Sequence, residues 1–545
     1  MEKGQKKFWG KEKAFWIIFL FYLFFALLSF NRGIFLIDEG YQVYFSWRVS
    51  GGEKIYKDFF LQVAPLSFFL DAILIKIFGL KLIVLRIYAL ILGIGSFFAL
   101  AYLFRRILPS PYWLIPCGFL VFFSRNLFTF SHYSLESKEF LLWSMVFLVW
   151  AESSPARKNL LLFFSGIFAG MGFLSYQSFL ILVGYEIFLL GWMSWKKQGF
   201  NLTNGFFYLA GLGLVGILVG GYLFKESLIQ EFLSALIYSG QSKGHIFRFL
   251  GSILIPLIIC WLIILYFLEK GIHKKKLWLS LLSLILFLAI LVGLGIKFPG
   301  NLFWHLLSLV IPFLVYYFAG RILLKEKPAR IKAGLFGFCL FIFLVGLLSG
   351  YDLGHNLASF PFFFPWLVYI VLKIKNKKTV KIVLSLLLSL FLGAGFYLYL
   401  TRFELYGEVE PLLKCRAGLN LQTARGIYTS QEKKQELEQL ISEIQSRTPS
   451  QEKILIYPAQ LLLYPLSERV SLSRSPFFYY EIPHLQELRR ALSKAQKDKS
   501  LLVFYLKGGR IYQPLASSEA QRLIEEVAHS CREKVWFSHY LLCQL

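Results

Sequence analysis

The chain has 545 residues, 57% of them hydrophobic and 18% aromatic, with a mean hydropathy of +0.59. Soluble domains run nearer about 45–50% apolar, so this composition excludes an ordinary water-soluble protein and points to a polytopic α-helical membrane protein. The net charge of +26 does not imply nucleic acid, because the basic residues recur in short clusters between apolar runs, where they anchor loops on the inner face of a membrane.

Lys3, Lys6, Lys7, Lys11 and Lys13 precede the first apolar run and place the N-terminus inside. The run from Ala14 to Phe30 has no small-residue cleavage site and is expected to stay as a span rather than act as a signal peptide. Runs long enough to cross a bilayer, roughly 17–25 residues when tilted, occur about thirteen times. They fall near 14–31, 82–104, 108–124, 138–152, 159–175, 178–195, 205–224, 251–268, 277–295, 300–320, 333–350, 360–374 and 379–400. Every second loop then holds a basic cluster: Arg105–Arg106, Arg157–Lys158, Lys196–Lys197, Lys270 with Lys274–Lys276, Arg321 to Lys332, and Lys373 to Lys381. The alternation puts 32–81, 125–137, 225–250, 351–359 and everything after 400 on the outer face.

The first outer loop opens on Asp38-Glu39, followed by Tyr41, Tyr44, Trp47 and Arg48, then Glu53, Lys57, Asp58 and Asp71. Within it, Pro65 to Leu80 is apolar but carries Asp71 and Lys76. Counted as a crossing it would put Arg105–Arg106 outside, so it is expected to lie along the interface as an amphipathic helix. The second outer loop brings Arg125, His132, Tyr133, Glu136, Lys138 and Glu139; the next brings Lys243, His245 and Arg248; a later one has Asp352 and His355.

Outer loops are wet and charged by default. Acids and bases in separate loops at one membrane level can do more: a carboxylate whose burial raises its pKa can act as general base toward an acceptor hydroxyl, and a cationic cluster can hold a phosphate leaving group. Charges within the spans are few, Glu186 being the clearest and His305 lying near a helix start. An ion-coupled transporter calls for several midplane acids or broken helices, so that reading is weakened.

From about 401 the pattern becomes soluble. A helix is expected over 431–446, with Leu437, Leu440, Ile441 and Ile444 on one face. Strands are expected at Lys453 to Tyr457 and Leu501 to Leu506, and further helices at 484–496 and 518–530. This makes an α/β module of ordinary domain size without a phosphate-cradling Gly-rich loop or metal-ligand spacing. The division expected is 1–400 in the membrane and 401–545 outside it. Cys117, Cys260 and Cys339 lie in apolar runs. Cys415, Cys531 and Cys543 lie in the tail and allow at most one disulfide there.

The order of features in the first 180 residues resembles the GT-C membrane glycosyltransferases, which include protein O-mannosyltransferases and the enzymes that transfer aminoarabinose to lipid A. The residues that carry the likeness are Asp38-Glu39 after the first span, then Gly52 and Tyr56-Lys57-Asp58, then Pro65-Leu66 opening an apolar segment that ends in Phe78-Gly79. Leu85-Arg86 follows at the second span, Arg105-Arg106 close it, and Glu136 or Glu139 precedes the fourth. Gly354-His355 through Pro361 and Pro365 is similar to the family's His-containing loop, and the span number with a C-terminal outer domain looks like the aminoarabinose branch. The chain departs in having Ala64-Pro65-Leu66 where the family commonly has Pro-Pro-Leu.

The resemblance implies an enzyme of the cytoplasmic (inner) membrane. It would transfer a hexose or pentose, with inversion, from a polyprenyl-phosphate-linked donor to a lipid, glycan or protein acceptor on the outer face. Asp38 would be the base, Glu39 would orient it, and Glu136 or Glu139 would assist. Arg48, Tyr56 and Asp58, together with Lys243, His245, Arg248 and His355, are the candidates for the donor and its lipid phosphate. No metal and no cofactor is implied. The alternatives are another lipid-linked glycan enzyme, such as a ligase or polymerase with its large loop later in the chain, a multi-pass transporter, or an assembly protein for which the outer acids have no purpose.

Overall fold

The computed structural model describes residues 13–122, 129–195, 201–242, 312, 315–323, 330–349, 360–373, 377–401, 410–450, 452–478, 484–512 and 518–545. The membrane part begins with α1 (Lys13–Ser29), α2 (Asp38–Ser50), α3 (Leu66–Phe78), α4 (Leu82–Ile107) and α5 (Leu114–Leu120). It continues with α6 (Tyr133–Ser153), α7 (Lys158–Ser175), α8 (Leu180–Trp195), α9 (Leu202–Lys225) and α10 (Ile229–Ser242), and resumes at α11 (Arg330–Ser349), α12 (Phe360–Val371) and α13 (Lys377–Thr401). The expected spans at 251–268 and 277–295, and most of that at 300–320, lie outside the described residues.

Four described stretches are long and apolar enough to cross a membrane: Leu82–Ile107, Pro155–Ser175, Gln177–Trp195 and Thr203–Lys225. Their outward residues are themselves apolar, with Ile217, Leu218 and Phe224 of α9 all exposed. A helix that shows large apolar side chains on its open face is solvated by lipid, not water. Helix α6 is 21 residues long yet falls outside this set, because Glu136, Lys138 and Glu139 sit in its first turns. The sequence places those residues in a loop ahead of a span starting near 138. The structure starts the helix at Tyr133 because His132 caps it, its Nδ1 accepting from Ser134 N at 3.3 Å.

Helices α7 and α9 pack through glycines. A Cβ on Gly166 would meet Tyr208 O at 1.9 Å, and one on Gly211 would meet Phe163 O at 2.0 Å. Lipid supplies no hydrophobic drive between helices, so backbone proximity through small residues holds such pairs. Gly166→Ala is therefore expected to destabilise the fold by about 1–3 kcal/mol, the range for forcing extra volume into a packed site. Thermal unfolding in detergent measures it; an unchanged midpoint would show that the pair separates without cost.

Helix α3 has inverted amphipathicity. Ser67, Phe68, Asp71, Ala72 and Ile75 are buried while Ile73, Ile77 and Phe78 are exposed. Ser67 and Asp71 face the protein, while Ile73, Ile77 and Phe78 face outward with Lys76 among them, as suits a helix lying at a lipid interface.

The C-terminal part contains a short ribbon, β1 (Ala417–Gly418) with β2 (Tyr428–Thr429), then α14 (Gln431–Arg447), β3 (Lys453–Tyr457), α15 (Leu463–Ser467), β4 (Val470–Ser471) and α16 (His484–Asp498). It finishes with β5 (Leu501–Lys507), β6 (Arg510–Ile511), α17 (Ser518–His529), β7 (Glu533–Trp536) and β8 (Tyr540–Gln544). The main sheet runs β4-β3-β5-β8-β7, parallel across β4-β3-β5 and antiparallel from β5 to β7, with β6 hairpinned on β5. Leu437, Leu440, Ile441 and Ile444 are the buried face of α14, as the spacing predicts. Cys531 and Cys543 form a disulfide, and Cys415 is free and buried.

Strand alternation divides the sheet's two faces between different cores. Leu455, Tyr457, Leu502, Phe504 and Leu541 pack under α16 and α17, which supply Leu488, Leu492 and Ile524. Ile454, Ile456, Val503 and Leu542, with α14, belong to a core continuous with the membrane helices. The composition change near 401 therefore does not mark a break in packing. Instead the tail docks on the first loop. Leu462 N donates to Leu36 O (3.1 Å), Ser471 N to the Tyr44 hydroxyl (2.9 Å), Phe60 N to Arg474 O (2.8 Å) and Gly33 N to Tyr428 O (2.7 Å). A Cβ on Gly40 would lie 2.3 Å from Leu462 N, so the first turn of α2 touches tail backbone directly.

Candidate active site

Helix α2 begins at Asp38, and both acids of the Asp-Glu pair occupy its first turn, where unpaired backbone N–H groups favour negative charge. Successive helical residues point about 100° apart, so the pair divides. Glu39 turns inward and is sealed from solvent with Arg86 of α4. Arg86 Nε donates to Glu39 Oε1 and Nη2 to Oε2, both at 2.7 Å, a bidentate pair. Phe35 N adds a bond to Oε2 (3.3 Å), and Arg86 Nη2 also reaches Gly33 O (2.8 Å). Asp38, by contrast, is half-buried at the helix start.

One turn along α2 from Asp38, and so on the same face, is Gln42. Its Nε2 donates to Ser67 Oγ (2.9 Å) and to Asp71 Oδ2 (2.8 Å), both on α3. Ser67 Oγ donates to Glu136 Oε2 (2.8 Å) on α6. Ser131, just before α6, hydrogen-bonds Asp71 Oδ2 (2.8 Å) and Glu136 Oε1. These contacts close a ring through three helices, and all five side chains are buried. Glu139, one turn beyond Glu136, is buried as well, as is Lys138.

The other first-loop candidates hold the loop's own shape. Arg48 pairs with Glu53, hydrogen-bonds the Tyr44 hydroxyl at 3.4 Å, and lies over the Phe59 ring at 4.8 Å. Its charge is thus engaged within the loop. Tyr56 is buried, at φ 69°, with its hydroxyl donating to Val63 O (2.7 Å). Burial pushes its phenol well above the usual range, so it stays a neutral donor to the backbone. Asp58 is exposed and caps a turn, Oδ2 accepting from Lys54 N at 2.7 Å. Burial likewise pushes the Tyr44 phenol to about 12, and it bonds the tail at Ser471.

Lys243, His245, Arg248 and His355 lie outside the described residues. Among the described residues, no three His, Cys, Asp or Glu side chains converge as metal ligands would. The sequence reading missed Gln42, Ser67 and Ser131 and gave Asp71 no role. A signal was available: Ser67 and Asp71 are four residues apart on a mostly apolar helix, which places them on one face.

No protein-family model and no curated protein sequence matches the chain. Among solved structures, it is similar to the Archaeoglobus fulgidus oligosaccharyltransferase tethered to an acceptor peptide containing the NVT sequon. That likeness has a TM-score of 0.52 at 11% identity, over 91% of this chain and 70% of the other. The archaeal oligosaccharyltransferase AglB from Archaeoglobus fulgidus, in complex with an inhibitory peptide and a dolichol-phosphate, matches with a TM-score of 0.51 at 12% identity over the same shares. ArnT from Cupriavidus metallidurans bound to undecaprenyl phosphate aligns over 97% of both chains at 12% identity, with a TM-score of 0.36, too low to distinguish a branch. The chain shares the fold of the archaeal oligosaccharyltransferase, and four of its described stretches are long and apolar enough to cross a membrane.

Proposed function

We propose that the protein is a membrane glycosyltransferase that moves a sugar, with inversion, from a polyprenyl-phosphate donor to an acceptor hydroxyl or amide on the outer face of the membrane. The observation that carries this reading is Asp38. It is a half-buried carboxylate at a helix start, on the one face of α2 backed by a buried polar ring, beside an acid already neutralised by Arg86. The fold it sits in is shared with an oligosaccharyltransferase solved with a dolichol-phosphate.

In this reading Asp38 takes the acceptor's proton as its oxygen or nitrogen bonds the anomeric carbon, and the bond from that carbon to the phosphate oxygen breaks on the opposite face. The polyprenyl phosphate leaves, and its growing negative charge needs cations. Lys243, His245, Arg248 and His355 remain the candidates for that task, on their charge and predicted side of the membrane. Glu139 is the second acid that could assist. Glu39 is a positioning residue, because both its oxygens are held by Arg86. A metal is not part of this proposal.

The Cys531–Cys543 disulfide supports an outward tail, since disulfides persist in oxidising compartments. Lys57→Cys places a thiol at an exposed first-loop position, while the described native cysteines are buried or bridged. It is expected to react with a membrane-impermeant maleimide in right-side-out vesicles; reaction only after permeabilisation would put the loop inside and end the proposal. The activity itself is tested by comparing envelope glycans and glycolipids with and without the protein, and by native mass spectrometry with undecaprenyl and dolichyl phosphate. A missing sugar on one acceptor class together with lipid-phosphate binding is the expected pair of results. Unchanged glycans would refute it.

A further inference from the structure

We propose that a cationic cavity where α7 and α9 begin holds the headgroup of an anionic phospholipid of the inner leaflet. This rests on the membrane reading and on the charge alternation that puts Arg157–Lys158 inside. It is independent of Asp38 and of sugar transfer.

Helix packing creates the site. Gly166 faces Tyr208, and Gly170 faces Leu212 and Val215, so α7 and α9 run parallel and start at the same membrane surface. Between the two starts lies a cavity of about 510 Å³. Arg157, Lys158, Asn159 and Leu160 line it from the α7 side, and Asn201 and Asn204 from the α9 side. Among the described residues that line it, none is acidic.

The amides fix what the cavity can offer. Asn201 N can only donate, so Asn204 turns Oδ1 to it (2.9 Å) and Nδ2 to Asn159 Oδ1 (2.7 Å). Asn201 Oδ1 in turn accepts from Asn204 N (3.0 Å). All three amide oxygens already accept a hydrogen, while Asn159 and Asn201 keep NH₂ groups to donate. The guanidinium of Arg157 and the ammonium of Lys158 add donors and charge. A lining of donors with positive charge suits an anion carrying several oxygens, and phosphate is the common one.

Two features favour a lipid over a soluble phosphate. The volume falls within the roughly 300–1,000 Å³ of ligand sites and exceeds what a bare phosphate fills. Leu160 on the cavity wall is 55% exposed, and Phe164, one turn along the same face of α7, is 39% exposed. A phospholipid brings an anionic head for the cavity and acyl chains for these side chains, whereas a free phosphate has nothing to place against them. Basic pockets between membrane helices on the cytoplasmic side take such headgroups. Anchoring of topology alone accounts for the two charges, but not for a concave site lined by donors.

Native mass spectrometry of the full-length protein in detergent tests this, with phosphatidylglycerol, phosphatidylcholine and inorganic phosphate as probes. Wild type is expected to retain phosphatidylglycerol in preference to phosphatidylcholine, and equimolar inorganic phosphate is expected not to displace it. Arg157→Gln is expected to weaken phosphatidylglycerol binding about fivefold, the effect of one basic residue at an anionic lipid surface. Asn159→Asp keeps an oxygen for Asn204 and replaces the donating NH₂ by negative charge, so it is expected to weaken binding at least as much. Lys13→Gln removes an exposed charge at the same predicted membrane face, outside the cavity, and is expected to change nothing.

Arg157 is exposed and Asn159→Asp is close to isosteric, so unfolding midpoints near wild type are expected of both. If Arg157→Gln does not fold, Asn159→Asp decides. Equal retention of the two lipids by wild type, or binding by the cavity variants no weaker than by Lys13→Gln, would reduce the charges to topological anchors and overturn the proposal. Displacement of phosphatidylglycerol by inorganic phosphate would also overturn it, by giving the cavity to a soluble anion.

Discussion

Asp38→Asn is expected to lower sugar transfer by about 10²–10⁴-fold while the protein still inserts and folds, the range that removal of a general base brings. The substitution keeps the size of the side chain but removes the group that would accept the acceptor's proton. Asp38 is half-buried and stands outside the buried ring and the Arg86 pair. Binding of polyprenyl phosphate is expected to be unaltered, which places the loss on chemistry. Transfer by Asp38→Asn at wild-type rate would remove the residue from the mechanism.

Arg86→Gln is expected to have the opposite profile, a large loss of stability. Truncating one partner of a buried ion pair costs roughly 3–5 kcal/mol, because the other charge is left without its counter-ion. Here the stranded group would be Glu39, and Gly33 O would lose its donor as well. Thermal unfolding in detergent is expected to fall well below wild type. Glu39→Gln is expected to be destabilising for the same reason, and the double variant less so than the two losses summed. An Arg86→Gln protein with a wild-type midpoint would mean that the pair contributes nothing to holding the first loop on α4. Adjacent acids are thus expected to give two separable phenotypes, Asp38→Asn in turnover and Glu39→Gln in folding.

Much of the membrane architecture is readable in the chain because lipid makes strict demands. A span must be long, apolar and helical, and each crossing is marked by basic residues on one side. Helices stand at 13–29, 82–107, 158–175, 180–195, 202–225, 330–349, 360–371 and 377–401, close to their expected places. The start of α6 was harder to read, since Glu136, Lys138 and Glu139 look like loop residues until a partner for them is known. The elements of the tail followed from periodicity, whereas its attachment did not. Nothing local in the sequence says that Gly40 must meet Leu462 or that Tyr44 must meet Ser471.

By itself, the sequence determined a many-helix chain rich in apolar spans, an acidic first loop with an apolar segment inside it and an α/β tail, because composition, period and charge act over neighbouring residues. Only the tertiary structure decided that Glu39 of the Asp-Glu pair is held by Arg86, that Arg48, Tyr56 and Asp58 brace the loop, and that uncharged Gln42, Ser67 and Ser131 link two acids 65 residues apart. The physical reason is that a charge's role depends on what neutralises it. In a buried site that partner comes from another helix, at a distance along the chain that no periodicity records.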